Sequence, residues 1–359
     1  MRPMTQGSPG SASPMPTTDA RLLWESYLSP YWFPSLLVAD ELGVLSSLAR
    51  APATVEELCG RMNLNPRGVG ALLPMLASLG YIEARDGSYA ITDTTRHYLL
   101  PEAPSYWGGL LRANRRSRSL APLCDALQHA LVTPDPEDAI PSSSADRSAN
   151  ADAWARGEIS LEAARGVAEY MQSHSATAAI GLAQNGEFSS VRRLLDVGGG
   201  SGVYSIELAK CHPELRCTVL ELASVCHWVQ GYIERAGVAD RVDTVALDMF
   251  RQTWPAGYDA VLFSNVFHDW PTRTCLELAR RAFSALEPGG AVNVHEMLLD
   301  DDGNGPREAA AFGVHMVTGT RGQHRSFGQL RDLFAEAGFV GAAWRSTSPL
   351  FSVVRAFKP

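Results

Sequence analysis

The stretch Leu194-Leu195-Asp196-Val197-Gly198-Gly199-Gly200-Ser201-Gly202 decides the fold of this chain. An apolar run of strand length enters a glycine-rich turn, and YSIELAKCHP (204–213) follows with helical spacing. Gly198 and Gly200 let the backbone approach a ligand where a Cβ would clash. Working outward, strands and helices alternate. CTVLEL (217–222) reads as a strand, HWVQGYIERAGV (227–238) as a helix, and VDTVALDMF (242–250) and YDAVLFSNVF (258–267) as strands. A helix over 275–286, a turn at Pro288-Gly289-Gly290, the strand AVNVHEMLL (291–299), a helix over 327–338 and two closing strands complete the pattern. Such alternation predicts a doubly wound, mostly parallel sheet that binds ligands at the carboxyl ends of its strands.

A glycine turn alone is shared by dinucleotide-binding folds, so the following residues matter. Glu221 ends the next strand at the spacing of a ribose-hydroxyl partner, with Leu222 beside it. The turn is D-V-G-G-G-S-G, with an acid two residues before its first glycine. Asp248, Met249 and Phe250 end the third strand, where an acid can accept an adenine amino group and Met249 can pack on the ring. Together these features favour S-adenosylmethionine (SAM) over a dinucleotide. SAM has no pyrophosphate, so no helix N-terminus need be bare for one.

The N-terminal half reads differently. Residues 1–20 are rich in Pro, Ser and Gly and read as a disordered tail without the apolar run of a signal peptide. From Leu22 to Leu45 the chain is dense in apolar and aromatic residues, among them Trp24, Tyr27, Tyr31, Trp32 and Phe33. Thr54 and Glu57 form a capping box, Asn65-Pro66 starts a helix with Val69, Leu72, Leu73, Leu76 and Leu79 on one face, and Gly80 ends it. Two short strands, 81–84 and 89–92, flank the turn signal Asp86-Gly87. Helix, helix, hairpin is a winged-helix arrangement. Its second helix offers only Arg67 as a cation and its hairpin only Arg85, too few for phosphates and base edges. A dimerisation and substrate-lid module is the better reading, and the aromatic segment predicts a homodimer. Arg112, Arg115, Arg116 and Arg118 read as a solvated helix face, 133–148 as a linker, and 159–182 as a helix leading into the next domain.

Composition bounds the rest. The 359 residues are 45% hydrophobic and 19% charged, as in ordinary globular proteins, and a net charge of −8 argues against general nucleic-acid binding. No stretch approaches a membrane span. The six cysteines, at 59, 124, 211, 217, 226 and 275, form no CxxC pair, which fits reduced thiols in a cytoplasm. No acidic cluster suggests a metal.

With Phe267-His268-Asp269-Trp270 the chain resembles the plant caffeate-type O-methyltransferase family and its bacterial relatives in antibiotic biosynthesis. The motifs are LDVGGGSG, LDMF, FHDWP, EPGGAVNVHEMLL and RGQHRSFGQLRDLFAEAGF, and the resemblance runs from about Leu28 to the end. It implies a Rossmann-like SAM-binding domain over 186–359, a winged-helix dimerisation domain over 21–105, and pocket helices over 106–185. It implies that Met171 and His174 lie near the reaction pocket, His268 is the general base at the pocket rim, and Glu296 orients its imidazole. Ser264 would join the cofactor site, and Asn265, His315 and Met316 would line the substrate pocket. His295, next to Glu296, alternates to the other face of its strand and reads as structural. One departure stands out. Where the family commonly carries an acid in G-x-E-R-T, this chain reads Gly322-Gln323-His324-Arg325-Ser326. The pocket thereby gains a second imidazole, and His324 reads as a further catalytic residue, either a second proton acceptor or a substrate anchor.

Three functions follow as expectations. The first is metal-independent O-methylation of a phenolic small molecule. The second is C-methylation on the ring of a tyrosine-like amino acid, since a phenolate is nucleophilic at oxygen and at the ortho carbon. The third is a winged-helix metabolite sensor, against which the intact His268 and Glu296 argue.

Overall fold

The apolar run before the glycine turn is a central strand of a seven-stranded sheet in the computed structural model of this chain. The structure describes Ser26 and residues 29–64, 66–115, 158–301, 306, 309, 312–313, 316 and 320–359. The expected tail (1–20), Trp24, Tyr27, Arg116, Arg118, Cys124, the linker 133–148 and His315 lie outside the described residues. The chain forms two compact units, Met1–Arg96 and His97–Pro359.

In the first unit, helices α1 (Trp32–Glu41), α2 (Val44–Arg50), α3 (Val55–Met62) and α4 (Pro66–Ser78) precede a hairpin of β1 (Ile82–Arg85) and β2 (Ser88–Ile91). The capping box is present: Thr54 Oγ1 accepts from the Glu57 amide and Glu57 returns the bond. Asp86 and Gly87 both have positive φ (50° and 78°), as a tight hairpin turn requires. Val69, Leu73 and Leu76 are the buried face of α4. Helix α5 (Asp93–Tyr98) spans the unit boundary.

The second unit begins with α6 (Gly108–Arg115) and the long α7 (Leu161–Gln184), which pack together. Gly109 permits this close approach: a Cβ there would lie 2.6 Å from Ser173 Oγ. Then come β3 (Arg193–Val197), α8 (Val203–Cys211), β4 (Arg216–Glu221), α9 (Ala223–Ala236), β5 (Val242–Ala246), β6 (Tyr258–Ser264), α10 (Thr272–Ala285), β7 (Leu286–Glu296), α11 (Phe327–Glu336), β8 (Val340–Ser346) and β9 (Ser352–Phe357). The order is β5-β4-β3-β6-β7-β9-β8, with β9 antiparallel to β7 and to β8. The expected turn at Pro288-Gly289-Gly290 lies inside β7, where its register against β6 shifts.

Side chains alternate between two cores. Leu194, Val219 and Leu262 face the α7–α8–α9 side, and Leu195, Leu220, Val261 and Phe263 face the α10–α11 side. Both faces are covered, which is why these strands read as nearly unbroken apolar runs. Strand order reverses at β3 and β6, so the crevice above their carboxyl ends is the expected ligand site. No helix among the described residues is long and apolar enough to cross a membrane.

Candidate active site

The glycine turn sits at that crevice. Gly198 and Gly200 have φ of 66° and 59°, which L side chains rarely adopt. A Cβ on Gly199 would meet the Asp196 carboxyl at 2.8 Å. Asp196 itself is buried under the turn and accepts from Ser205 Oγ at 2.8 Å, and burial raises its pKa to about 6. The acid that precedes the glycines therefore braces the turn from below.

A cleft opens beside it, lined by Gly198, Leu220, Glu221, Leu222, Leu247, Asp248, Met249, Phe250 and Trp270. Glu221 accepts from the Gly200 amide at 3.2 Å and the Leu222 amide at 2.8 Å. Burial nevertheless raises its pKa to about 7, against the lowering effect of those two amides. Asp248 lines the cleft while capping its own turn: it accepts from the amides of Phe250 and Arg251 and pairs with the Arg251 guanidinium at 2.7 Å. A group that binds there meets a carboxylate already partly satisfied. Trp270 packs edge-on against Phe250, with ring centroids 4.7 Å apart. Leu220, Leu247 and Trp270 were not among the expected site residues. Trp270 stands in the HDW motif, which was the available signal.

Two expected cofactor residues fall outside the cleft lining. Gly200 reaches it through its amide on Glu221, and its Cβ position lies 3.4 Å from Met171 Cγ, so Met171 backs the glycine turn. Ser264 is buried at the end of β6, paired in register with His295.

After Ser264 the chain turns sharply. Asn265 takes a left-handed conformation (φ 54°), and Phe267–Asp269 form one short helical turn carrying His268. His268 is 5% exposed, so it is enclosed where a rim position was expected. Glu296, 1% exposed at the end of β7, accepts from the His268 backbone amide at 3.1 Å, and the amides of Phe267 and Val266 also turn toward it. The ring Nδ1 is 3.8 Å from Glu296 Oε1, beyond hydrogen-bond reach. The carboxylate thus holds the backbone that carries the imidazole, where a bond to the ring was expected. Burial raises the Glu296 pKa to about 7, with the His268 amide and Arg325 opposing.

Arg325 locks the same segment. Its guanidinium donates to the carbonyls of Phe267 (2.8 Å), Trp270 (2.8 Å) and Gln323 (3.2 Å) and to Thr272 Oγ1 (3.4 Å). Gly322 lies so close that a Cβ would stand 2.2 Å from the His268 carbonyl oxygen. Neither role was assigned from the sequence, because both act on backbone atoms distant in the chain.

Around His268 the structure gathers an aromatic cage. Phe312 stacks on His174 (5.9 Å between centroids) and packs edge-on against His268 (5.7 Å) and His324 (5.2 Å). Tyr170 also stacks on His174, with centroids 5.8 Å apart. Burial lowers the His174 pKa to about 4. Met316 is buried, and its carbonyl accepts from Thr320. Asn265 points elsewhere: its amide donates to Ser175 Oγ (3.3 Å) and Tyr204 Oη (3.4 Å). His295 joins this interior network through Tyr204 Oη (3.1 Å) and Thr347 Oγ1 (2.7 Å), as its structural reading expected. No group of three or more His, Cys, Asp or Glu among the described residues is placed to hold a metal.

The chain matches the O-methyltransferase domain family over residues 145–340. It is 33% identical over 335 residues to a 3-hydroxy-5-methyl-1-naphthoate 3-O-methyltransferase of Streptomyces sahachiroi, covering 93% of each chain. It is 32% identical over 173 residues to an L-tyrosine C(3)-methyltransferase of Streptomyces lavendulae, covering 48% of this chain and 47% of that one. Its fold matches the crystal structure of CalO1, a methyltransferase in calicheamicin biosynthesis, with a TM-score of 0.79 at 22% identity, over 95% of this chain and 98% of that one. Glycine turn, cleft and domain match agree: the chain belongs to the O-methyltransferase family and is a SAM-dependent methyltransferase.

Proposed function

We propose that this enzyme moves the SAM methyl group to the oxygen of a phenolic small molecule, as a cytoplasmic homodimer of the caffeate type in its bacterial natural-product branch. The observation that carries the reading is the enclosed His268 beside the aromatic cage, on the short turn after β6 that leads to Trp270 of the cofactor cleft. When bound, SAM supplies a methyl already activated by its sulfonium. The protein supplies the rest. Gly198 and Gly200 admit the cofactor, the Glu221 carboxylate accepts its ribose hydroxyls, and Asp248, Met249 and Phe250 hold the adenine. His268 takes the phenolic proton as the oxygen becomes a nucleophile. Met171, His174, Phe312 and Met316 surround the substrate ring. The cage, two aromatic rings and three imidazoles, offers flat faces and hydrogen-bonding edges that suit an aromatic ligand. The helix–helix–hairpin of the first unit is the winged-helix dimerisation module.

Incubation with labelled SAM and a panel of phenols and naphthols should give O-methyl products, with the methyl located by NMR. Light scattering on the same preparation should report a dimer. A methyl found on ring carbon would favour the second reading, C-methylation, for which the partial likeness to the tyrosine C-methyltransferase speaks. No transfer to any phenol would remove both.

The Glu221 assignment has its own signature. In the free protein its carboxyl titrates at about 7, raised by burial. A ribose hydroxyl donates to the carboxylate, so below that pKa binding must first expel the proton. Calorimetry should therefore show SAM affinity roughly tenfold weaker at pH 6 than at pH 8. Glu221→Gln should flatten the profile, and Glu221→Ala should weaken binding about tenfold or more. A profile unchanged in both variants would take Glu221 out of the site.

A further inference from the structure

His324 lies beside His268 in the interior, and the structure fixes how its ring is used. The segment after β7 pairs with the segment around His324: Leu299 bridges Ser326 in parallel, and the Leu299 amide donates to the Arg325 carbonyl at 3.1 Å. This pairing sets His324 Nδ1 at 3.1 Å from the Met297 carbonyl oxygen. A carbonyl only accepts, so Nδ1 carries the proton and Nε2 is left with a bare lone pair. Nε2 is buried and has no hydrogen-bond partner among the described residues. The residue is 5% exposed. Its ring lies 5.5 Å from that of His268, and both rings pack against Phe312. Burial lowers its pKa to about 4, against the raising effect of the Met297 hydrogen bond and with Arg325 adding to the lowering, so the ring is neutral at physiological pH and holds a transferred proton poorly.

A buried acceptor left bare is costly, and this one stands beside the imidazole of His268. We infer that His324 Nε2 is a specificity contact, accepting a hydrogen bond from a second protonated donor, a hydroxyl or N–H, on the ring position next to the oxygen that His268 serves. The inference rests on His268 as the base at the reacting oxygen. It assigns the two imidazoles different work: His268 takes a proton, and His324 reads one that stays in place. An acid at this position can be charged and can accept several donors. A neutral imidazole with its tautomer fixed accepts one donor and offers nothing to an anion. The substrate class is then an aromatic with adjacent oxygen or nitrogen donors, of the catechol or amino-phenol type, with the neighbouring group protonated.

The test needs no turnover. Nitrogen NMR of histidine-labelled protein with bound S-adenosylhomocysteine should show His324 neutral at pH 7 with the proton on Nδ1, the signal being assigned by its loss in His324→Gln. Added catechol should shift the Nε2 resonance. Titration should show catechol binding roughly tenfold more tightly than phenol. His324→Leu should bring the two phenols level. His324→Gln, whose amide oxygen can reach the Nε2 position, should keep most of the gap and guards against a merely misfolded leucine variant. A cationic or Nε2-protonated ring overturns the inference. So does an Nε2 resonance that catechol leaves unmoved at any concentration, or a catechol preference that survives in His324→Leu. Methyl transfer to phenols could persist through any of these, so failure here is separable from failure of the O-methyltransfer reading.

Discussion

His268→Ala should reduce turnover by about 10²–10⁴-fold, the usual worth of a positioned base, while SAM binding stays within a factor of about two of wild type. The separation is expected because His268 is absent from the cleft lining and sits instead on the turn beyond β6. Single-turnover rates and calorimetry on the same protein read the two effects apart. Glu296→Gln should lose less than His268→Ala. The amide oxygen can still accept from the His268 backbone amide, the bond that Glu296 makes at 3.1 Å. What disappears is the negative charge 3.8 Å from the ring, which would favour the imidazolium formed when the proton is taken. A fully active His268→Ala would move the base elsewhere.

Arg325→Met should be the most damaging single change to stability near the site, about 3–5 kcal/mol, with activity lost beyond what the remaining folded fraction explains. Arg325 is 2% exposed, and its guanidinium is held by three carbonyls and one hydroxyl. Methionine fills similar volume but leaves the Phe267 and Trp270 carbonyls without that donor in the interior. Those carbonyls flank His268, so the turn that aims the imidazole loses its anchor. Arg325→Lys should recover only part of the loss, because a single ammonium cannot span the Phe267 and Trp270 carbonyls as the planar fork does. Denaturant unfolding checks the stability claim, and a loss under about 1 kcal/mol would make the buried bonds replaceable.

The sheet was legible because its information is local. A nearly unbroken apolar run, a glycine turn and a helical period occupy consecutive residues, so LLDVGGGSG and the strands after it could be placed within a few positions. The capping box at Thr54 and the Asp86-Gly87 turn were legible for the same reason: each is a bond or a dihedral choice within four residues. Glu221, Asp248 and Met249 could be assigned to one cleft because strand ends in this topology converge, a rule of the fold that spacing alone carries.

Residues that work across the chain were not legible in that way. Asn265 follows the same strand end as His268, yet its left-handed backbone and the hydroxyls of Ser175 and Tyr204 draw its amide into the interior. Phe312 acquires its place only when residues far apart in sequence close around it. Arg325 and Gly322 matter through backbone carbonyls some fifty residues away, which leave no mark on the sequence between them. Sequence by itself determined the architecture, the cofactor class and the presence of two imidazoles, since propensity, periodicity and motif spacing are properties of neighbours along the chain. Tertiary structure alone decided that Glu296 grips the backbone beneath His268 and that His324 offers a bare Nε2. Hydrogen-bond direction and desolvation depend on which distant atoms arrive at the same buried point.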